Sequence, residues 1–247
     1  FNDGDGFFTE ELNHQLPNAM YSCIGVVDID LDNDNDLVLL SEEDGYQRQA
    51  FLFLNNGSGA FEESIELPVS IPELAHFEFG DIDNDGRTDM VLMGGHDIGT
   101  TDEKVVKILI NNGDYQFEVK SDHGIKSSYN PQFKLLDIDN NGTLDLVLPF
   151  DSGIYYNDGE GNFNTQANWF RNLEESYFKK ADLNADGFPD IIHWGRDQTG
   201  QAVANLHINN WTNTFSFQSS IFEGGAYPES IEIINLNQDA LPDLVAA

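Results

Sequence analysis

The chain has 247 residues, 44 Asp and Glu against 11 Lys and Arg, and a formal net charge of −33. A surface that acidic repels phosphate backbones and anionic lipid, which excludes nucleic acid and membrane surfaces as default partners. Hydrophobic residues make up 40% of the chain, 18 Phe among them, too many for a disordered polymer. No apolar run reaches the roughly 18 residues that would cross a bilayer.

In chain order, residues 1–10 carry Asn2-Asp-Gly-Asp-Gly-Phe7 and read as the end of a preceding unit. Unit 21–67 opens on an apolar stretch at 21–27 that holds the single cysteine, Cys23, read as a core residue because one cysteine makes no internal disulfide. The acidic nonapeptide Asp28-Ile-Asp-Leu-Asp-Asn-Asp-Asn-Asp36 follows, then apolar runs at 37–40 and 50–54 and the turn Asn55-Asn-Gly-Ser-Gly-Ala-Phe61. Unit 74–120 repeats the order with Asp81-Ile-Asp-Asn-Asp-Gly-Arg-Thr-Asp89, runs at 90–93 and 105–110, and Asn111-Asn-Gly-Asp-Tyr-Gln-Phe117. Unit 132–166 has Asp137-Ile-Asp-Asn-Asn-Gly-Thr-Leu-Asp145, runs at 146–148 and 154–156, and Asn157-Asp-Gly-Glu-Gly-Asn-Phe163. Unit 177–219 has Asp182-Leu-Asn-Ala-Asp-Gly-Phe-Pro-Asp190, a run at 203–208, and Asn209-Asn-Trp-Thr-Asn-Thr-Phe215. Unit 230–247 has an alternating stretch at 230–234 and Asn235-Leu-Asn-Gln-Asp-Ala-Leu-Pro-Asp243.

The nonapeptides begin at residues 28, 81, 137, 182 and 235, so they are 53, 56, 45 and 53 residues apart, and the Asn-turn motif recurs in phase with them. Two signals on one period of about fifty residues identify a repeat protein. The runs are short and rich in branched residues, which predicts strands, the second of each unit buried on both faces. The Asn-Asn-Gly turn predicts a hairpin, because Asn and Gly tolerate positive φ, and a fourth strand opens at the Phe. Four antiparallel strands per unit and no helical segment predict an all-β chain of propeller blades, about five units in all. Joining the chain ends would leave a blade without its third strand, so the expectation is a piece of a larger propeller in a larger chain.

Three or four carboxylates on nine residues crowd together where the loop turns at its sixth position. Two unit charges about 4 Å apart repel by about 4 kcal/mol at an effective dielectric of 20, which predicts a strained loop unless a cation fills it. Hard oxygens at alternating positions select Ca²⁺, with side chains from positions 1, 3, 5 and 9 and a backbone carbonyl from position 7. The helix-loop-helix calcium site needs a Glu at position 12, where this chain has Leu39, Leu92, Leu148, His193 and Ala246. Tandem Gly-rich nonapeptides of a calcium β-helix are absent as well. The remaining alternative is a set of solvated, metal-free polar turns.

The Asp-x-Asp-x-Asp-Gly-x-x-Asp-Leu-Val signature and the Asn-Asn-Gly-x-Gly-x-Phe turn resemble the FG-GAP/VCBS repeat, the blade of integrin α-subunit propellers and of secreted lectin-like propellers. The resemblance covers essentially the whole chain. It implies a calcium-stabilised, usually seven-bladed propeller outside the cell. It implies ligands at Asp28, Asp30, Asp32 and Asp36; Asp81, Asp83, Asp85 and Asp89; Asp137, Asp139, Asn141 and Asp145; and Asp182, Asn184, Asp186 and Asp190. A fifth set is Asn235, Asn237, Asp239 and Asp243, where two ligands are neutral and Ala240 stands in place of the loop Gly.

The metal loops and Asn turns share one face, so the loops of differing length after the second and fourth strands build the other, where binding is expected. Candidates there are Trp169 with Arg171, Trp194 with Arg196, and Tyr129, with His96, His123 and Tyr46 beside them. Aromatic faces stack on sugar rings and Arg pairs with anionic substituents. The competing reading places Trp169 and Trp194 as caps of the seams between blades. His76 and His207 lie on strand-like stretches and read as core or edge residues, and the six His show no metal-ligand spacing. Asn56, Asn141 and Asn210 match the glycosylation acceptor, Asn141 inside a metal loop. No Gly-x-Ser-x-Gly elbow, Cys/His pair or phosphate-binding Gly loop occurs, so no enzyme is expected. The expectation is an extracellular, calcium-stabilised binding module for a glycan or protein. The alternatives are a propeller domain of a secreted polysaccharide-degrading enzyme and an interaction domain of a larger surface protein or toxin.

Overall fold

The structure, a computed structural model, describes residues 4–9, 16, 23–42, 47–72, 75–98, 101–125, 133–148, 153–163, 165–168, 173–210, 214–219, 221, 230–239 and 241–246. Among the described residues every regular element is a strand. Each sheet is an antiparallel meander whose neighbours in space are neighbours in sequence. The chain divides into two compact units, residues 1–79 with 87–120, and residues 80–86 with 121–247.

The first unit holds two four-stranded sheets. One is β1 (Cys23–Val27), β2 (Asp36–Glu42), β3 (Gln47–Asn55) and β4 (Phe61–Pro72); the other is β5 (Ala75–Gly80), β6 (Asp89–Ile98), β7 (Thr101–Asn111) and β8 (Phe117–Lys120). The second strands are buried on both faces as the branched runs predict, with Val38, Leu40 and Met90 to Met93 fully buried. Val38, Leu40, Leu52, Leu67, Phe77, Met90, Leu92 and Leu109 belong to one apolar core shared by the two sheets. Half-buried Cys23 packs against it, and burial pushes its thiol pKa up, which fits a core residue. The sheets approach closely at Gly25, since a Cβ there would lie 2.2 Å from Phe77 and 2.6 Å from Phe79.

The second unit holds two four-stranded sheets and one two-stranded sheet. They are β9 (Lys134–Leu136), β10 (Asp145–Leu148), β11 (Gly153–Tyr156) and β12 (Thr165–Asn168); β13 (Glu174–Ala181), β14 (Asp190–Arg196), β15 (Ala202–Asn209) and β16 (Phe215–Ser219); and β17 (Ile231–Ile234) with β18 (Asp243–Ala246). Leu136, Ile138, Val147, Ile154 and Ile191 make one core, and Ile192, Trp194, Ala204 and Ile231 another.

The two motifs set the register. In four repeats the residue before the nonapeptide pairs with its ninth residue: Val27 with Asp36, Leu136 with Asp145, Ala181 with Asp190 and Ile234 with Asp243. The turn asparagine pairs with the Phe six residues on at Asn55–Phe61, Asn111–Phe117 and Asn209–Phe215. The expectation that every fourth strand opens at this Phe fails once. Phe163 donates its N–H to the His123 carbonyl (2.8 Å), and β12 begins at Thr165, paired with Tyr156.

Candidate metal centres

The first four nonapeptides fold into the same knot of carboxylate-to-amide hydrogen bonds, whereas in the fifth Asn235 accepts from Gln238 at position four (2.6 Å). The position-one carboxylate accepts the N–H groups of positions five and six: Asp28 from Asp32 and Asn33 (3.1 Å each), Asp81 from Asp85 and Gly86 (3.1 and 2.9 Å). Asp137 does the same with Asn141 and Gly142, and Asp182 with Asp186 and Gly187. The position-five oxygen accepts from position seven, as in Asp32 with Asp34 (2.8 Å), Asn141 with Thr143 (2.7 Å) and Asp186 with Phe188 (2.9 Å). Charge-assisted bonds of this kind offset part of the repulsion that the sequence alone predicts, so the loop is less strained than carboxylate crowding implies.

Making these bonds forces two residues of the loop into the left-handed region. Position six is Asn33, Gly86, Gly142 or Gly187, as the turn chemistry predicts. Position four is left-handed too, at Leu31 (φ 63°), Asn84, Asn140, Ala185 and Gln238. For Leu31 and Ala185 that conformation costs about 1 kcal/mol each, offset here by the amides it aims at the carboxylates.

Among the described residues, three groups of carboxylates bring one oxygen each within 4.8 Å of the others: Asp28, Asp30 and Asp32; Asp81, Asp83 and Asp85; and Asp137, Asp139 and Asp145. Three convergent hard anionic oxygens are the donor set of a divalent cation such as Ca²⁺, so these residues fit the ion that the loops imply. In loops four and five no such triad forms among the described residues, and the Asn184 and Asn237 amides donate instead to Asp186 (2.9 Å) and Asp239 (2.8 Å). Asn235 donates from its amide to the Asp239 carbonyl. Ala240 lies outside the described residues.

The position-nine carboxylates occupy a different environment. Asp36, Asp89, Asp145 and Asp190 are at most 1% exposed. Asp36 accepts from Ile29 (3.0 Å) and Asn55 (2.8 Å), Asp145 from Ile138 (3.2 Å) and Asn157 (2.9 Å), and Asp190 from Leu183 and Asn209 (2.8 Å each). Asp89 accepts from Asn111 (2.8 Å) and Asp243 from Leu236 (2.8 Å). These side chains tie the loop to the turn. Burial pushes the carboxyl pKa up at Asp36 and Asp190, and at Asp145 to about 7, where neighbouring Asp139 and Asp137 push the same way. A cation among the acidic groups supplies the charge that favours their ionised form.

Sequence reasoning missed two groups at the first loop. The Tyr115 hydroxyl, from the turn of the next repeat, donates to Asp30 (2.9 Å), and Arg87 donates from Nε to the Asn111 carbonyl (2.8 Å). With Asp32, Asp114 and Phe117 they line a cleft of about 340 Å³. The signal was the turn itself, which has Tyr115 where two other turns have Gly59 and Gly161.

Along β14, away from the acidic loop that ends at Asp190, Trp194 is 4% exposed, belongs to an apolar core, and has its ring stacked on Tyr177 at 5.8 Å. It offers no open stacking face; the exposed ring at this corner is Tyr177, 40% accessible. Arg196 donates from Nη1 to the Gly200 carbonyl (3.2 Å). The His123 Nδ1 accepts the N–H of Ile125 (3.2 Å). Trp169, Arg171, Tyr129 and Tyr46 lie outside the described residues. His193 and His207, fully buried with ring centroids 6.2 Å apart, are held neutral by burial, with pKa values of about 3 and about 4.

A family model described as FG-GAP-like repeat matches residues 28–92 and 182–246, just over half of the chain, each match beginning on the first residue of an acidic loop. No curated protein matches the chain.

Proposed function

The chain belongs to the FG-GAP-like repeat family, and on that premise we infer that its sheets are blades of a β-propeller, stabilised by Ca²⁺, that acts outside the cell as a binding module. The observation that carries the calcium part is the convergence of three carboxylate triads, each from one nonapeptide. Bound calcium supplies positive charge where the loops hold negative charge. Positions one and five fix the loop backbone, and position nine ties the loop to the neighbouring turn. Extracellular calcium modules work at dissociation constants of about 10⁻⁴–10⁻³ M, and a chain of net charge −33 gains stability from each ion by mass action.

The partner is a glycan or an extracellular protein, met on the side opposite the metal loops, where loop sequence varies while the strands repeat. Tyr177 over Trp194, with Arg196 two residues along β14, is an aromatic corner with a cation beside it, which suits a sugar ring carrying an acidic substituent. This reading assigns the chain no catalysis. The test is a glycan array probed with calcium-loaded protein and repeated in chelator. Calcium-dependent binding to one glycan class, weakened by Tyr177→Ala, supports the glycan partner. Silence on the array from folded protein rules the glycan out and leaves a protein partner.

A further inference from the structure

The first asparagine of the turn, Asn111 and Asn209 at the end of the third strand and Asn157 just after it, is 4, 2 or 5% exposed and reaches out of its own repeat. Its Nδ2 donates to the carbonyl of loop position two in the preceding repeat: Asn111 to Ile29 (3.2 Å), Asn157 to Ile82 (2.8 Å) and Asn209 to Ile138 (2.6 Å). The same Nδ2 holds the carbonyl just before position nine of its own loop, at Thr88, Leu144 and Pro189. Its backbone N–H donates to the position-nine carboxylate, Asp89, Asp145 or Asp190.

These bonds join end to end. In the second unit the path runs from the Ile82 carbonyl through Asn157 to Asp145, across the Ile138 peptide to Asn209, and through Asp190 to the Leu183 N–H. Buried polar groups tolerate little displacement, because a lost partner exposes the full desolvation penalty of the one left behind. Asp145 is at once the acceptor of Asn157 and a member of the third acidic group, while Ile82 stands between Asp81 and Asp83 of the second. Fixing Asp145 therefore fixes Asn157, and with it the peptide between two carboxylates of the preceding loop.

We propose that Asn157 is a positioning residue that transmits the metal state of the third acidic loop to the loop of the preceding repeat. The proposal rests on the calcium reading above. Coupling between two sites commonly changes affinity by about 5- to 150-fold, and a bridge of one side chain belongs at the low end of that range.

The test is calorimetric titration of calcium into metal-stripped protein, comparing wild type with Asn157→Ala and Asn55→Ala. Asn55 holds the same motif position, but its Nδ2 bonds Asn35 of its own repeat (3.0 Å) and no carbonyl of another repeat among the described residues. Wild type and Asn55→Ala should fill cooperatively. Asn157→Ala should fill without cooperativity and with about fivefold weaker affinity. Calcium binding with equal cooperativity in both variants, or with none in wild type, overturns the proposal and leaves the calcium reading standing. An absence of calcium binding in wild type overturns both. If Asn157→Ala does not fold, Asn157→Ser, whose side chain is too short to reach the Ile82 carbonyl, is read the same way.

Discussion

Gly25 offers a test of how the first two sheets meet. A Cβ at this position lies 2.2 Å from Phe77 Cε2 and 2.6 Å from Phe79 Cε2, whereas ordinary contact begins near 3.4 Å. The Phe77 ring edge must then retreat by about 1.2 Å and that of Phe79 by about 0.8 Å. Neither ring is free to do so, because they pack edge to face at 5.2 Å and Phe77 is only 6% exposed. Replacing Gly by Ala in a strand otherwise gains about 0.5–1 kcal/mol, while overpacking a core costs about 1–3 kcal/mol. The contact is severe enough for the cost to win, so Gly25→Ala should destabilise by about 1–2 kcal/mol, which lowers the melting temperature by about 2–8 °C for a chain of this size. Gly25→Val should cost more, and Phe77→Leu in the Gly25→Ala background should recover part of the loss. Calorimetry or urea denaturation reads all three. Neutral or stabilising Gly25→Ala would refute the close approach of the two sheets.

Further predictions concern the buried polar groups. Asp190→Ala removes the acceptor of the Leu183 and Asn209 amides and should cost about 2–4 kcal/mol, read by denaturant unfolding. His193 and His207 have folded pKa values of about 3 and about 4, below the ordinary value of 6.5. The unfolded chain therefore binds the protons first. The stability from keeping these rings neutral is fully present above pH 6.5 and is lost as pH falls toward the folded values. Between pH 7 and 5 each ring withdraws up to about 2 kcal/mol, so His193→Leu should show a shallower loss than wild type in melts over that range; parallel curves would contradict it.

Much of the fold was legible because repetition supplies its own check. The run at 37–40 lies inside β2 (Asp36–Glu42) and that at 203–208 inside β15 (Ala202–Asn209), since a branched apolar run between two turn motifs has few alternatives. Spacing also marked the acidic loops, although it counts all carboxylates alike. It cannot separate Asp30, which faces solvent and Tyr115, from Asp36, which is buried under two backbone amides. Positive φ at Leu31 and Ala185 was invisible for a related reason. There the hydrogen-bond net, rather than the side chain, selects the left-handed conformation. Trp194 looked like a binding residue from its neighbour Arg196, but a residue on a central strand is buried by the sheets packed on it. The Asn turn read as hairpin chemistry only, because its second role depends on a carbonyl 71 to 82 residues away in sequence.

The most direct test of the account is calcium itself. Elemental analysis of protein equilibrated in millimolar calcium, with melting curves in calcium and in chelator, should find at least three ions per chain, one for each carboxylate triad. Asp30→Ala, Asp83→Ala and Asp139→Ala should each remove one ion, and chelator should lower the melting temperature sharply. Protein that binds no calcium and melts at the same temperature in chelator would contradict the account, and the acidic loops would then be polar turns held by their own amides.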